Sequence, residues 1–276
     1  MLKLWIEENK KEKLDYPNKM EFYEIQEKIE ITREIKEDIS KRVLLNLEDP
    51  GYLKFKFNDY NSEEIKKFLK DSILPNENAQ FNPKKSLWGE IISAEILNVF
   101  RKHLMPIYKL RYKEKKDQAM RGSADVVTYY YNENHLIFSF SEVKTKGNIR
   151  KKGFYEYKNE MKKAEEGLLN NNDNNKTPEI LVYICRRLYD LERYDLLQIF
   201  DDAIKSNNYK KEFHIFMIME KRRWGEQIIN FFKEKNTELP NLTINIVLIN
   251  SLNELIDETY EIILEIAEDM INDFKK

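Results

Sequence analysis

The sequence of 276 residues predicts an α/β fold. Helical periodicity over 86–104 gives way to β-branched and aromatic runs at 126–131 and 136–144. Helical and strand patterns then alternate at 188–205, 213–219, 222–235, 242–249 and 251–274. Such alternation places helices on the faces of a sheet. With 41% hydrophobic and 35% charged residues, the chain can bury a core without disulfides or metal staples.

Residues 1–50 read as a mostly helical, charged stretch, ending at the turn Asp49-Pro50-Gly51. YLKFKF (52–57) alternates apolar and basic side chains, as a half-exposed strand does. Asn61 or Ser62 caps a short helix through Leu74, with Glu63 and Glu64 in its first turn. The Asn- and Pro-rich stretch 75–85 is the best linker candidate. It divides a mainly helical region, 1–84, from a core of 85–276 that carries its own C-terminal α/β extension.

In the core, Leu87, Ile91, Ile92, Ile96, Val99, Phe100 and Leu104 form the stripe of an amphipathic helix. IYKLRYK (107–113) reads as a strand, and Arg121-Gly122-Ser123 as a turn into the strand 126–131. Asn132-Glu133-Asn134 is a hairpin turn and 136–144 the returning strand. A helix at 154–169, an Asn/Asp loop at 170–175 and a nearly continuous apolar strand at 179–185 complete an α-β-β-β-α-β order. The last helix, 251–274, opens with the capping-box pair Ser251 and Glu254.

Composition excludes several classes. The formal net charge of −2 rules out a basic coat over the whole protein, though not a local basic groove. One cysteine, Cys185, excludes a disulfide framework and a thiolate zinc cluster. Three histidines scattered in sequence, His103, His135 and His214, argue against a His-rich metal site. No P-loop or Gly-x-Ser-x-Gly elbow occurs. No apolar run approaches the ~18 residues of a membrane span. The N-terminus turns charged too early for a signal peptide, so the expected location is the cytoplasm.

The chemistry concentrates between residues 86 and 163. Glu142 and Lys144 share one face of a strand, because side chains alternate with a period of two. A hairpin can bring Asp125 beside them, and Glu90 on the preceding helix can add a further carboxylate. Paired carboxylates make a hard oxygen site suited to Mg²⁺. A lysine beside them can orient water or stabilise charge developing on a phosphate. Asp/Glu-x-Lys alone carries little information, since most copies in this chain lie in charged helical stretches. Glu142-Val143-Lys144 differs because it ends the strand-forming run LIFSFS. Windows 101–121 and 144–163 each hold eight Lys or Arg against two acids, a net of +6, and bracket these residues. Such windows suit backbone phosphates; Lys109, Arg111, Arg121 and Lys146 are the candidate contacts. Residues 236–276 carry a net of −7 and are unsuited to DNA.

Glu90 on a helix, Asp125 after a turn and Glu142-Val143-Lys144 on a strand resemble the PD-(D/E)XK nuclease superfamily, as does the α-β-β-β-α-β order. The resemblance implies a restriction-endonuclease-like fold with helical and strand additions at both ends. It implies Asp125 and Glu142 as ligands of Mg²⁺, for which Mn²⁺ can substitute. It further implies Lys144 as catalytic lysine, Glu90 as supporting acid and the Val143 carbonyl as a further ligand. Ala124 stands where the proline of the superfamily's name would be. More narrowly, LWGEIISAEIL, PIYKLRYKEKKDQAMRGSADVV, FSEVKTK and YKNEMKKAEEGL resemble the nuclease subunit of the Hachiman antiphage system, HamA. Ser-Glu-Val-Lys stands here where such subunits often read Gly-Glu-Ala-Lys. That resemblance implies a DNase controlled by a superfamily 2 helicase, HamB-like, in antiviral defence. The alternatives are a stand-alone restriction endonuclease, or a non-catalytic DNA-binding or helicase-docking subunit on the same fold.

Overall fold

A strand buried along its whole length belongs in the middle of a sheet covered on both faces. In the computed structural model, Leu242–Ile249 (LTINIVLI) is such a strand, with all eight residues buried. The structure describes residues 1–14, 20–76, 83–117, 124–133, 135–147, 153–173, 177–225, 230 and 237–275. Its elements, in chain order, are α1 (Leu2–Trp5), β1 (Ile6–Leu14), β2 (Met20–Glu27), α2 (Arg33–Leu47), α3 (Pro50–Phe57), α4 (Ser62–Phe68), α5 (Pro83–Arg101), β3 (Val126–Asn132), β4 (His135–Lys146), α6 (Gly153–Leu169), α7 (Glu179–Asp190), α8 (Tyr194–Lys205), β5 (Tyr209–Glu220), β6 (Leu242–Ile249) and α9 (Leu252–Lys275).

The strands form one six-stranded mixed sheet in the order β1-β2-β6-β5-β4-β3. The four inner strands run parallel, and β1 and β3 are added antiparallel at the edges. Period two divides the inner strands between two cores. Phe213, Ile215, Met217 and Met219 of β5 meet Met161, Ala164, Ile184 and Phe200 of α6–α8. Phe216 and Ile218 face the opposite way, into a core built with α1–α5 and α9. That second core joins Ile35, Leu53 and Ile65 to Leu87, Ile92 and Ile256. Among the described residues no helix is long and apolar enough to cross a membrane.

The helix near 86–104, the hairpin 126–144, the helix near 154–169, the strands 213–219 and 242–249 and the final helix are present with small boundary shifts. The cap at Asn61 is also present: its side chain accepts from Glu64 N, and Glu64 reaches back to Asn61 N at 2.8 Å. Four expectations need correction. Residues 6–14 and 20–27 are strands, not helix. In β2, Met20 and Phe22 face one core and Ile25 the other, so its apolar spacing resembles that of a helix. YLKFKF lies in α3, where Asp49 Oδ1 accepts from Gly51 N and Tyr52 N and Pro50 fits the first turn. Its buried residues, Leu53 and Phe57, are spaced one helical turn apart.

Residues 107–113 form no strand; 109–112 are a 3₁₀ turn, and Leu104 makes an isolated bridge to Tyr129. The stretch 179–185 opens α7, which buries Ile180, Leu181, Ile184 and Leu188 and leaves Val182 39% exposed. From α5 onward the described elements therefore run α-β-β-α-α-α-β-β-α, not α-β-β-β-α-β. The expected turn at 121–123, and most of the expected helix at 222–235, lie outside the described residues.

A buried polar cluster ties the end of α5 to the sheet. Arg101 Nη2 donates to Glu8 Oε1 at 2.8 Å and to Asn245 Oδ1 at 2.6 Å. Its Nη1 lies 3.2 Å from His214 Nδ1. A guanidinium offers only donors, so His214 Nδ1 accepts, and His214 Nε2–H donates to Glu212 Oε1 at 2.9 Å. Tyr130 Oη donates to Glu212 Oε2 at 2.8 Å, and His103 Nδ1 meets Thr128 Oγ1 at 3.0 Å. Two of the three histidines thus converge, their nitrogens and a Glu212 oxygen lying within 4.8 Å of one another. The His214 tautomer leaves its Nε2 without a lone pair for a metal, so the cluster acts as a structural pin.

Burial holds the His103 imidazole down at about 4. The unfolded chain takes up that proton near 6.5 while the fold excludes it, so stability falls as pH drops from 6.5 to about 4. Burial opposes ionisation of Glu212, but hydrogen bonds from His214 and Tyr130 help keep this carboxyl low. Its contribution is lost only as pH falls below 4.5. A thermal melting series is expected to show a decline beginning near pH 6.5 that His103→Gln flattens. An unaltered profile in the variant would place the acid sensitivity elsewhere.

Candidate active site

β4 is long enough to pair with β3 over its first part and to run on beside β5 to Lys146. Where β3 begins, Asp125 is clamped against β4. Asp125 N donates to Ser141 O at 2.9 Å, and Asp125 Oδ2 accepts from Val143 N at 2.8 Å. The two groups flank Glu142, so the hairpin places a second carboxylate beside it. Lys144 Nζ donates to Glu142 Oε2 at 3.0 Å, as expected of residues two apart on one strand face.

Glu142 meets α6 at a glycine. A methyl group on Gly167 would stand 3.0 Å from Glu142 Oε1 and 3.1 Å from its Cδ, so a larger residue there would shift this carboxylate by a few tenths of an ångström. Glu90 comes from α5 on the other side of the sheet. With Asp125, Lys109, Tyr108, Asn46 and Val126 it lines a cavity of about 30 Å³, room on the order of one water.

The electrostatics are those of carboxylates crowded in a poorly solvated place. Burial, reinforced by Asp125, raises the Glu142 carboxyl well above the ordinary range despite the pull of Lys144. Burial and then Asp125 raise Glu90 likewise, with Lys109 opposing. Glu90 Oε1 has one weak donor, Ser86 Oγ at 3.3 Å, and its Oε2 is buried with no partner. Burial disfavours the Lys144 ammonium, but Glu142 and Asp125 outweigh it and raise its pKa. Three carboxylates that repel one another, one with an orphaned buried oxygen, fit a hard divalent cation such as Mg²⁺ or Mn²⁺ in donor type.

The structure therefore brings together Asp125, Glu142 and Lys144, with Val143 between the last two, and places Glu90 beside Asp125 in the cavity on the other side of the sheet. The basic candidates are otherwise engaged. Lys109 lines the cavity and donates to Ala124 O at 2.6 Å, tying the 3₁₀ turn to the residue before Asp125. Arg111 donates to Leu45 O, pairs with Asp49 at 3.6 Å and stacks 4.2 Å from the Tyr108 ring, which binds it to the end of α2. Lys146 pairs with Glu160 of α6 at 3.5 Å. Arg121 lies outside the described residues. Lys113 was not singled out in the sequence; burial lowers it to about 8, with Glu90 the strongest opposing influence. Its signal was only a place in the basic window. Gly89 and Gly167, both inside helices, were the legible hint of close backbone approach.

Fold and site together define an α/β protein with a part-buried carboxylate–lysine cluster where an antiparallel hairpin joins a parallel sheet. A family model described as HamA matches residues 1–263, and the chain belongs to the HamA family. No curated protein matches it.

The raised carboxyls have a measurable consequence. Glu90 keeps a proton in the fold that the unfolded chain has lost, so stability falls as pH rises above 4.5. Glu90→Gln removes that penalty. In chelator, the variant is expected to melt above the wild type at about pH 9 and to converge with it in acid, the regime where both side chains are neutral. Equal melting temperatures across that range would mean that Glu90 is not under strain.

Proposed function

We propose that this chain is a metal-dependent DNA endonuclease and the effector subunit of a Hachiman antiphage defence system, controlled by a superfamily 2 helicase partner. The observation that carries the reading is the buried pair Glu90 and Glu142, each with Asp125 as a charged neighbour, and Lys144 hydrogen-bonded to Glu142. Membership of the HamA family supports the biological setting.

In this reading Asp125 and Glu142 would hold Mg²⁺, with Glu90 and the Val143 carbonyl assisting. The bound cation supplies charge neutralisation at the scissile phosphate and a lower pKa for water. Lys144 holds Glu142 in place in the free protein and presents a fixed positive charge where negative charge builds on the phosphate. Gly167 keeps α6 from displacing Glu142. Lys109 and Lys146 add positive charge beside the site, of the kind that attracts a nucleic-acid backbone without regard to sequence. Arg111 serves chiefly to secure α2.

Purified protein incubated with supercoiled and linear DNA is expected to cleave only with Mg²⁺ or Mn²⁺. Lys144→Ala or Glu142→Gln should reduce the rate by at least ~10²-fold, the scale of removing one electrostatic stabiliser, with melting intact. Cleavage that survives both substitutions would overturn the assignment. If the chain alone is silent, the assay is repeated with the co-purified helicase and ATP. Silence there too would favour a non-catalytic docking subunit, while full activity without any partner would favour a stand-alone restriction enzyme.

A further inference from the structure

We propose that Gly89 is a positioning residue for the carboxylate site: it lets α5 seat against β4 closely enough for Glu90 to reach Asp125. The proposal rests on the reading of Glu90, Asp125 and Glu142 as a cation site and names what sets their spacing.

A methyl group at Gly89 would stand 1.9 Å from Thr145 Oγ1, 3.2 Å from Thr145 Cβ and 3.3 Å from Val143 Cγ1. Ordinary contact begins near 3.4 Å, so either Thr145 must turn its Oγ1 aside or α5 and β4 must part, by up to about 1.5 Å, to admit it. The residues met are those that flank Lys144, and Val143 N is also the group that holds Asp125. Glu90 follows Gly89 directly, so a shift of the helix there is carried to its carboxylate almost undiminished.

The rest of the contact is built small as well. Ser93 lies one turn further along α5 and is fully buried, and β4 offers the buried Ser139 and Ser141 on the face it shares with Val143. Ser93 Oγ, Ser141 Oγ and Thr145 Oγ1 are all buried without hydrogen-bond partners. Their hydroxyls therefore contribute little bonding, and what remains of their role is size. An interior glycine weakens a helix relative to alanine. The sequence tolerates that at position 89, where the backbone must approach a strand.

The test uses the full-length protein and a cation titration, so that it does not depend on cleavage alone. Mn²⁺ affinity is measured by calorimetry and folding by thermal melting for wild type, Gly89→Ala, Thr145→Ala, Thr145→Val and both doubles. Gly89→Ala is expected to melt cooperatively but to bind Mn²⁺ at least ~10-fold more weakly. Its Mg²⁺-dependent cleavage should fall by ~10²-fold, the scale on which misplacement of about 1 Å acts. Thr145→Ala vacates the colliding positions and should bring the double variant back to within ~3-fold of wild type. Thr145→Val keeps the bulk without the hydroxyl and should not rescue. If Gly89→Ala does not fold, Thr145→Leu applies the same pressure from the strand side and is expected to weaken Mn²⁺ binding equally.

Wild-type affinity in Gly89→Ala and in Thr145→Leu would overturn the proposal alone. So would a rescue in which alanine and valine at 145 behave alike. A wild-type chain that binds no divalent cation would remove the cation site itself and this proposal with it.

Discussion

The pairing of β4 on both sides is the constraint on which the rest depends. β3 runs antiparallel along one edge of this strand and β5 parallel along the other. A slip of one residue would exchange its two faces, sending Val143 and Thr145 toward α6 and Glu142 and Lys144 into the core under α5. Phe138 and Phe140 on one face and Ser139 and Ser141 on the other are all completely buried, so such a slip would also bury the wrong volumes. Register is therefore held by packing over the whole strand. The placement of Glu142 beside Asp125 follows from it.

On that frame the protein carries two polar clusters of opposite character. Around Arg101 the acceptors and donors are matched: Glu8, Asn245, His214, Glu212 and Tyr130 satisfy one another, and the result locks the end of α5 to the sheet. Around Glu90 the charges are mismatched, with carboxylates pressed together and a buried oxygen left bare. Buried polar groups are normally paired because the alternative is costly. One satisfied network and one frustrated network on the same helix distinguish a fastening from the site proposed to receive a cation.

Both clusters depend on how α5 sits. Its far end is fixed by Arg101, and its near end passes over β4 at Gly89. α6 closes from the opposite face at Gly167. Two glycines thus set the distances from two helices to the segment of β4 that carries Glu142 and Lys144. This is why a helix that appears ordinary in its apolar stripe contains a residue unfavourable to helices.

The sequence by itself determined the α/β class, the hairpin 126–144, the amphipathic helices at 86–104 and 251–274, and the grouping of Asp125, Glu142 and Lys144. These follow from local rules, namely side-chain period, turn residues and the two-residue spacing on one strand face. It misassigned 6–14, 20–27, 52–57, 107–113 and 179–185, because short apolar or alternating runs fit more than one period. There the choice is made by which faces find a core, as Met20 and Ile25 do on opposite sides of the sheet. It did not place residues 6–14 and 20–27 at the sheet's far edge, nor join His103 to His214 and Glu212, nor assign Gly89 its neighbour. Only the tertiary structure decided these, because each contact unites residues far apart in the chain, and no local pattern encodes the distance across which two packed elements meet.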